Sequence, residues 1–300
     1  MIDKLEMFIA LANERHFGRA AERCGVTQPT LSSALKQLED QLGVQLVWRG
    51  SRFQGLTPEG NRVLDWARRI VTDTRTMKEE MRAARAGLSG NLRIGVIPTA
   101  LSMVVDLIAP FSERHPNVRT AILSRTSVEI LQQIETLELD AGISYLDNEP
   151  LGRVASVPLY YEAYRLLVTA TNPLAVRAAM SGAEVSWAEV AGQPLCLLTS
   201  DMQNRRIISQ HLTAAGVEAM AMVESNSVIA LVSHVMTGRW ASVVPVKLAT
   251  LFAAGNGLVA LPIADPAARH LVGLIAAHRE PHTPVLAALL DEARRITEVG

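Results

Sequence analysis

The sequence predicts a mixed α/β chain in three parts: a small helix-turn-helix domain, one long helix and a larger two-lobed α/β domain. Three observations predict it. Residues 16 to 60 carry two short helical segments joined at a glycine corner and followed by a basic hairpin. Residues 63 to 84 repeat apolar positions every four and three residues. From residue 91 the pattern changes to short apolar strands alternating with amphipathic helices, the order of a layered α/β domain.

Helix one is expected over Ile2 to Glu14, with Ile2, Leu5, Phe8, Ile9 and Ala12 inward. A short helix containing Ala20 and Ala21 then runs into Gly25, which tolerates a left-handed corner. Thr27 is placed to cap the next helix, and Pro29 suits its first turn. Leu31, Leu35, Leu38 and Leu42 form its buried stripe, and Gly43 ends it. At about 100° per residue the opposite side carries Pro29, Ser32, Ser33 and Lys36, flanked by Gln28 and Thr30. Gln pairs bidentately with adenine, and Ser or Thr meets bases or phosphates, so this helix start suits a major groove. The leucine stripe alone fits an ordinary core helix equally well. Residues 44 to 57 read as two strands around the tip Arg49-Gly50-Ser51-Arg52, a wing whose two arginines suit phosphate or minor groove.

Thr57, Pro58 and Glu59 open a long helix as N-cap, first residue and first-turn acid. Along it Val63, Ala67, Ile70, Thr74, Met77 and Met81 make a coiled-coil seam, which predicts pairing between chains; the alternative is packing on its own domain. A dimer presents two reading helices to two half-sites of a roughly palindromic duplex. Gly87-Leu88-Ser89-Gly90 marks the domain boundary.

Beyond it, strands are expected at 92 to 98, 118 to 125 and 139 to 146, separated by helices ending near Pro116 and Glu138. That order argues for a parallel sheet with right-handed crossovers. A second set begins near Tyr160 with five strands and helices at about 204 to 215 and 226 to 237. A strand at 270 to 279 and a last helix at about 283 to 297 return to the first set. Ligands bind such sheets outside the carboxyl ends of the strands, which selects Thr99, Ala100, Thr126, Ser200, Met202, Gln203 and Pro245, beside Pro98, Arg125, Ser127, Thr199, Asp201, Ser225, Asn226 and Val246. Each of the hydroxyl residues is also explained as a helix cap. Arg125, Arg205 and Arg206 read as solvated surface charges.

Composition limits the alternatives. With 49% hydrophobic and 20% charged residues the chain is globular, and no apolar run is long enough to span a membrane. The acidic residues among the first seventeen positions argue for a helix and against a signal peptide, so a cytoplasmic protein is expected. Residues 1 to 86 hold 14 Lys+Arg against 11 Asp+Glu, a net +3, while the rest hold 15 against 19, a net −4. The positive part is therefore the part with the helix-turn-helix. Cys24 and Cys196 are too far apart in sequence to suggest a disulfide framework or metal cluster. There is no G-x-S-x-G, dinucleotide fingerprint or P-loop, and the seven histidines are scattered, so no catalytic residue, metal or cofactor is assigned.

Taken together, Ala20, Ala21, Val26, Thr27, Gln28, Pro29, Thr30, Leu31, Ser32, Leu35, Leu38, Glu39, Leu42, Gly43, Leu46, Arg49, Leu56, Thr57 and Gly60 resemble the DNA-binding domain of LysR-type transcriptional regulators. Cys24, Ser33 and Val47 depart from that pattern. The resemblance implies a winged helix-turn-helix over 1 to 58, a linker or dimerisation helix over 59 to 87, and a type II periplasmic-binding-protein-like effector domain over 88 to 300. Its lobes would be about 91 to 160 with 269 to 300, and 161 to 268. It further implies double-stranded DNA, a small-molecule effector, RNA polymerase and self-association as homodimer or homotetramer. Some members sense peroxide through paired cysteines, and this sequence offers no pair in its sensing region. A small carboxylate or similar anion is the expected effector. Two alternatives are a two-lobed binding protein without a DNA role and an α/β enzyme.

Overall fold

The computed structural model describes residues 1–48, 50, 53–218, 220–265 and 268–299. The chain separates into two compact units. The first is Met1–Leu88 with the short segments Glu135–Glu138 and Arg279–Pro284; the second comprises Ser89–Ile134, Leu139–His278 and Val285–Gly300.

The first unit is four helices, α1 (Ile2–Glu14), α2 (Phe17–Arg23), α3 (Gln28–Leu42) and α4 (Pro58–Ala86). Phe8, Leu11, Ala20, Leu31, Leu38, Leu46, Leu64 and Ala67 form its core. The hairpin is reduced, among the described residues, to one antiparallel bridge between Val47 and Leu56, with Trp48 N–H on the Gly55 carbonyl at 3.1 Å. Glu39 Oε1 accepts from the amides of Leu46 (2.8 Å) and Val47 (3.4 Å) and so ties this segment to α3. Thr57 holds the other end: its hydroxyl donates to the Gln45 carbonyl at 2.6 Å and accepts from Gly60 N–H at 2.8 Å. Gly60 has no room for a side chain, because a Cβ there would enter the Leu46 carbonyl.

The second unit is built on one curled mixed sheet. Its first half contains β1 (Gly90–Val96), β2 (Val118–Ser124), β3 (Ala141–Tyr145), β9 (Arg269–Ala277) and the first part of β4 (Val154–Thr169), in the order β2-β1-β3-β9-β4. The expected parallel pairing holds for β1 with β2 and with β3, whose connections contain α5 (Val104–Arg114) and α6 (Ser127–Glu135). The sense of β4 and β9 was left open by that order: they run antiparallel to each other and, for β9, to β3. These long strands cross between lobes and arrive without a crossover helix on this half, so no βαβ geometry constrains them.

After a register shift between Pro158 and Tyr160, β4 continues into the second lobe and pairs antiparallel with β7 (Ser242–Pro245) and β8 (Leu258–Pro262). There β5 (Leu195–Leu198) and β6 (Ala221–Ser225) form a parallel pair, joined to β7 by Cys196 N–H on the Ala241 carbonyl at 2.9 Å. Helices α7 (Pro173–Ser181), α8 (Trp187–Ala191), α9 (Gln203–Ala214), α10 (Val228–Met236) and α11 (Val246–Ala253) complete this lobe, and α12 (Pro284–Val299) closes the chain.

Candidate functional site

The first candidate site is the outer face of α3. Thr27 is its N-cap and its hydroxyl accepts from Thr30 N–H at 3.4 Å; the two threonine hydroxyls are 2.8 Å apart. Gly43 ends the helix at φ 71°, a left-handed conformation that glycine adopts without cost. Leu31, Leu35 and Leu38 are buried, whereas Leu42 is exposed. The stripe therefore stops one turn earlier than the spacing suggests, because the chain has reached the edge of the domain. Gln28, Pro29, Thr30, Ser32, Ser33 and Lys36 are all exposed on the other side. Gln37 Nε2 donates to Ser33 Oγ at 3.4 Å, a contact on this face that the spacing did not single out. Arg49 and Arg52 lie outside the described residues.

Along α4 the seam residues divide. Ala67 is fully buried in the first unit's own core with Leu64, and Val63 packs against it. Ile70 (40% exposed), Met77 (56%) and Met81 (61%) stand open, with Trp66 (62%) on the same stripe. Thr74 is half-buried.

The second candidate site is a cavity of about 550 Å³ at strand ends of the second unit. Pro98, Leu101, Ser124, Arg125, Thr126 and Glu129 line it from the first lobe, and Asp201, Met202 and Asn226 to Ile229 from the second. Thr126 is also a cap, as the alternative reading had it: its hydroxyl accepts from Glu129 N–H (3.1 Å) and its N–H donates to Glu129 Oε2 (2.8 Å). Arg125 donates to the Ser124 carbonyl (2.8 Å) and to Gln133 Oε1 (3.3 Å), both neutral acceptors. The same wall also holds the carboxylate residues Glu129 and Asp201. Arg205 and Arg206 are engaged elsewhere, with Glu224 and Glu149 respectively.

Of the seven residues selected for this cavity, Thr126 and Met202 lie on its wall. Ser200 is exposed beside it, Ala100 and Pro245 are buried, and Thr99 and Gln203 belong to a buried polar layer at the crossing of the lobes. In that layer Tyr145 donates to Glu162 Oε1 through a short hydrogen bond and accepts from Asn204 Nδ2 at 3.1 Å. Thr99 Oγ1 lies 3.4 Å, and the Tyr164 hydroxyl 3.3 Å, from the Tyr145 hydroxyl. Gln203 Nε2 donates to the Asp147 carbonyl at 3.2 Å. Burial pushes the Glu162 carboxyl up to about 7 against the opposing hydrogen bonds from Tyr145 and Tyr164. Strand-end spacing could not find Glu162, because its significance arises only where β3, β4 and α9 converge.

Cys24 and Cys196 are free. Cys196 is buried in β5, its thiol 3.5 Å from the Leu231 carbonyl, and burial pushes it up to about 11. Among the described residues no cluster of His, Cys, Asp and Glu could hold a metal ion, and no helix is long and apolar enough to cross a membrane.

Comparison with known proteins agrees with this geometry. Residues 2–61 match the bacterial regulatory helix-turn-helix protein, lysR family, and residues 85–297 match the LysR substrate binding domain. The DNA-binding transcriptional dual regulator OxyR of Escherichia coli K12 is 30% identical over 275 residues, 91% of this chain and 88% of that protein. A solved full-length OxyR variant from Pseudomonas aeruginosa superposes with a TM-score of 0.75 at 26% identity, covering 98% of this chain and 94% of that one. The regulator CbnR, solved with its target DNA, shares the fold at 22% identity and a TM-score of 0.61, covering 99% of each chain. A helix-turn-helix with an outward polar face, followed by a two-lobed unit with a cavity at its strand ends, places this chain in the LysR family of transcriptional regulators, DNA-binding proteins controlled through an effector domain.

Proposed function

We propose that the chain reads a roughly palindromic duplex as a dimer and responds to a small carboxylate or similar anion in the cavity of its second unit. Gln28, Pro29, Thr30, Ser32, Ser33 and Lys36 of α3 face the major groove, with Arg49 and Arg52 of the hairpin on the backbone or minor groove. Ile70, Thr74, Met77 and Met81 pair with the same residues of a second chain, and Val63 and Ala67 anchor α4 to its own domain. Two such dimers forming a tetramer, RNA polymerase as a partner and a cytoplasmic location accompany this reading. The working boundaries are 1 to 58, 59 to 87 and 88 to 300, with the lobes meeting near residue 160 and again near 269.

The observation that carries the effector class is Arg125, a cationic residue lining the cavity whose two hydrogen bonds go to neutral acceptors, on a wall that also holds Glu129 and Asp201. Thr126, Met202 and residues 226 to 229 at the start of α10 line the same cavity, and Ser200 is exposed beside it; Thr99, Ala100, Gln203 and Pro245 are buried. Several relatives are named hydrogen peroxide-inducible genes activators. For this chain we infer a different signal: its two cysteines lie in separate units, and the one in the effector unit is a buried thiol held protonated.

Melting the full chain with a panel of small carboxylates, phosphates and aromatic acids tests this. A ligand at 100 times its dissociation constant adds about 2.7 kcal/mol, moving the midpoint of the second unit by about 5 to 10 °C. Arg125→Gln is expected to abolish the shift. A ligand that shifts wild type and Arg125→Gln equally would remove Arg125 from the site.

A further inference from the structure

A cluster of titratable groups outside the cavity bridges the two lobes. His211 projects from α9 in the second lobe and His270 from β9 in the sheet of the first, with their Nε2 atoms 2.9 Å apart. His211 Nδ1 lies 3.2 Å from Asp265 Oδ2, which also accepts from Trp187 Nε1 at 2.9 Å. On the far side His270 Nδ1 lies 2.7 Å from Asn148 Nδ2, in the turn after β3. The Asn148 amide nitrogen also donates to Asp147 Oδ1 at 2.8 Å.

These contacts fix the protons. The Asp265 carboxylate can only accept, so His211 carries its proton on Nδ1 and offers Nε2 as an acceptor. His270 then donates from Nε2 and accepts from Asn148 at Nδ1. Both rings are neutral, and every ring nitrogen has a partner of the correct kind. A further proton on either ring removes one of these hydrogen bonds, and the one on His211 Nε2 removes the bond between the lobes. A proton on His270 Nδ1 confronts the Asn148 N–H; a proton on His211 Nε2 confronts the His270 N–H.

We propose that the His211–His270 pair is a proton-operated latch between the lobes of the effector domain, closed while both rings are neutral and released as they become charged. The groups facing the pair account for its balance. Asp147 on the turn (Oδ1 at 3.7 Å from His270 Nδ1) and Asp265 before β9 favour the charged ring. Burial opposes it, as does the other histidine, and burial is the larger, so His270 is held below the ordinary histidine range. Glu162, paired opposite His270 on β4, and the rings of Tyr145 and Tyr164, with centroids 6.4 and 6.0 Å from the imidazole, complete the surroundings. Arg206 on α9 and Glu149 on the turn, joined at 2.6 and 2.9 Å, make a second contact between the same two elements. The latch rests on the effector-domain reading only for its consequence, one contact fewer between the lobes beside the cavity in acid.

Trp187 reports on the latch directly, because its ring is stacked on His211 with centroids 5.1 Å apart and an interplanar angle of 5°. The experiment follows the tryptophan fluorescence of the full chain, without ligand or DNA, from about pH 8 to about pH 5, the range in which histidines titrate. A reversible step is expected in the wild type and is expected to be lost in Trp187→Phe. His270→Gln leaves the stack intact and can turn its amide oxygen toward a charged His211, so its step moves to higher pH. Asn148 adopts a positive φ of 69°, so Asn148→Gly removes the amide without backbone strain, and its step also moves up. A wild type flat over the whole range, or a step that stays in place in both His270→Gln and Asn148→Gly, would overturn the latch. Circular dichroism at the upper pH separates a misfolded variant from an informative one. The melting panel with Arg125→Gln tests the effector reading separately: a latch step without any anion response leaves the latch standing and sinks that reading, and the reverse pattern does the opposite.

Discussion

Glu162 is 3% exposed, and its Oε2 is buried without a hydrogen-bond partner. A carboxyl so placed is more comfortable protonated, which gives the molecule a definite pH dependence. The folded-state value of about 7 lies above the ordinary carboxyl value of 4.5. The native state therefore binds the extra proton between these limits, so this residue's contribution is fully present below the unfolded value and is lost as pH rises through the folded one. At about 1.4 kcal/mol per unit the loss approaches about 3 kcal/mol by pH 8. Glu162→Gln, neutral throughout, is expected to melt close to wild type near pH 5 and several degrees above it near pH 8. Equal midpoint differences at both values would show that Glu162 does not titrate in the fold. At Gly60 the constraint is steric, since any Cβ meets the Leu46 carbonyl. Gly60→Ala is expected to lose stability in the first unit, read as earlier loss of helical circular dichroism.

Helices α3 and α4 each combine two roles. In α3 the cap and the reading face are neighbours, so their roles separate by assay. Thr27→Ala should cost about 1 kcal/mol of stability through the lost cap. Lys36→Ala should weaken all DNA sequences alike and flatten the salt dependence by about one unit of slope. In α4, 29 residues span about 43 Å, and the stripe of Trp66, Ile70, Met77 and Met81 is exposed. Placing Glu at both Met77 and Met81 should shift the chain from dimer to monomer in sedimentation while leaving its α-helical signal. An unchanged dimer would move the interface elsewhere. The heptad spacing was legible here, but its assignment of Ala67 to the seam was only half of that residue's environment. Periodicity marks an apolar side; it does not say whether a neighbour in the same chain or in another covers it.

Across the whole molecule, legibility in the sequence followed the range of the interactions. The caps Thr27 and Thr57, the corner at Gly43 and the bounds of α1, α3 and α4 rest on contacts within a few residues, and the spacing predicts them closely. The strands β1 to β3 are apolar runs bounded by breakers and were equally plain. What escaped the sequence is set by distant pairing: the antiparallel sense of β4 and β9, the small helices α7, α8 and α11, and the convergence of Tyr145, Glu162 and Asn204 from three elements. The cavity shows the same limit. Strand ends located it, but which of their side chains turn to its wall depends on backbone direction, so Thr126 and Met202 reach it while Thr99 turns toward Tyr145.

The role of α3 is tested most directly by selection of duplexes by the full chain from a random pool, followed by the same selection with Gln28→Ala. A dimer reading through α3 is expected to select a two-fold pattern of half-sites spaced by about one helical turn or a multiple of it. For Gln28→Ala the same spacing is expected with one position relaxed per half-site, a change of about 1 to 3 kcal/mol. No enrichment by the wild type, or an unaltered preference in Gln28→Ala, would contradict the assignment of α3 as the reading helix.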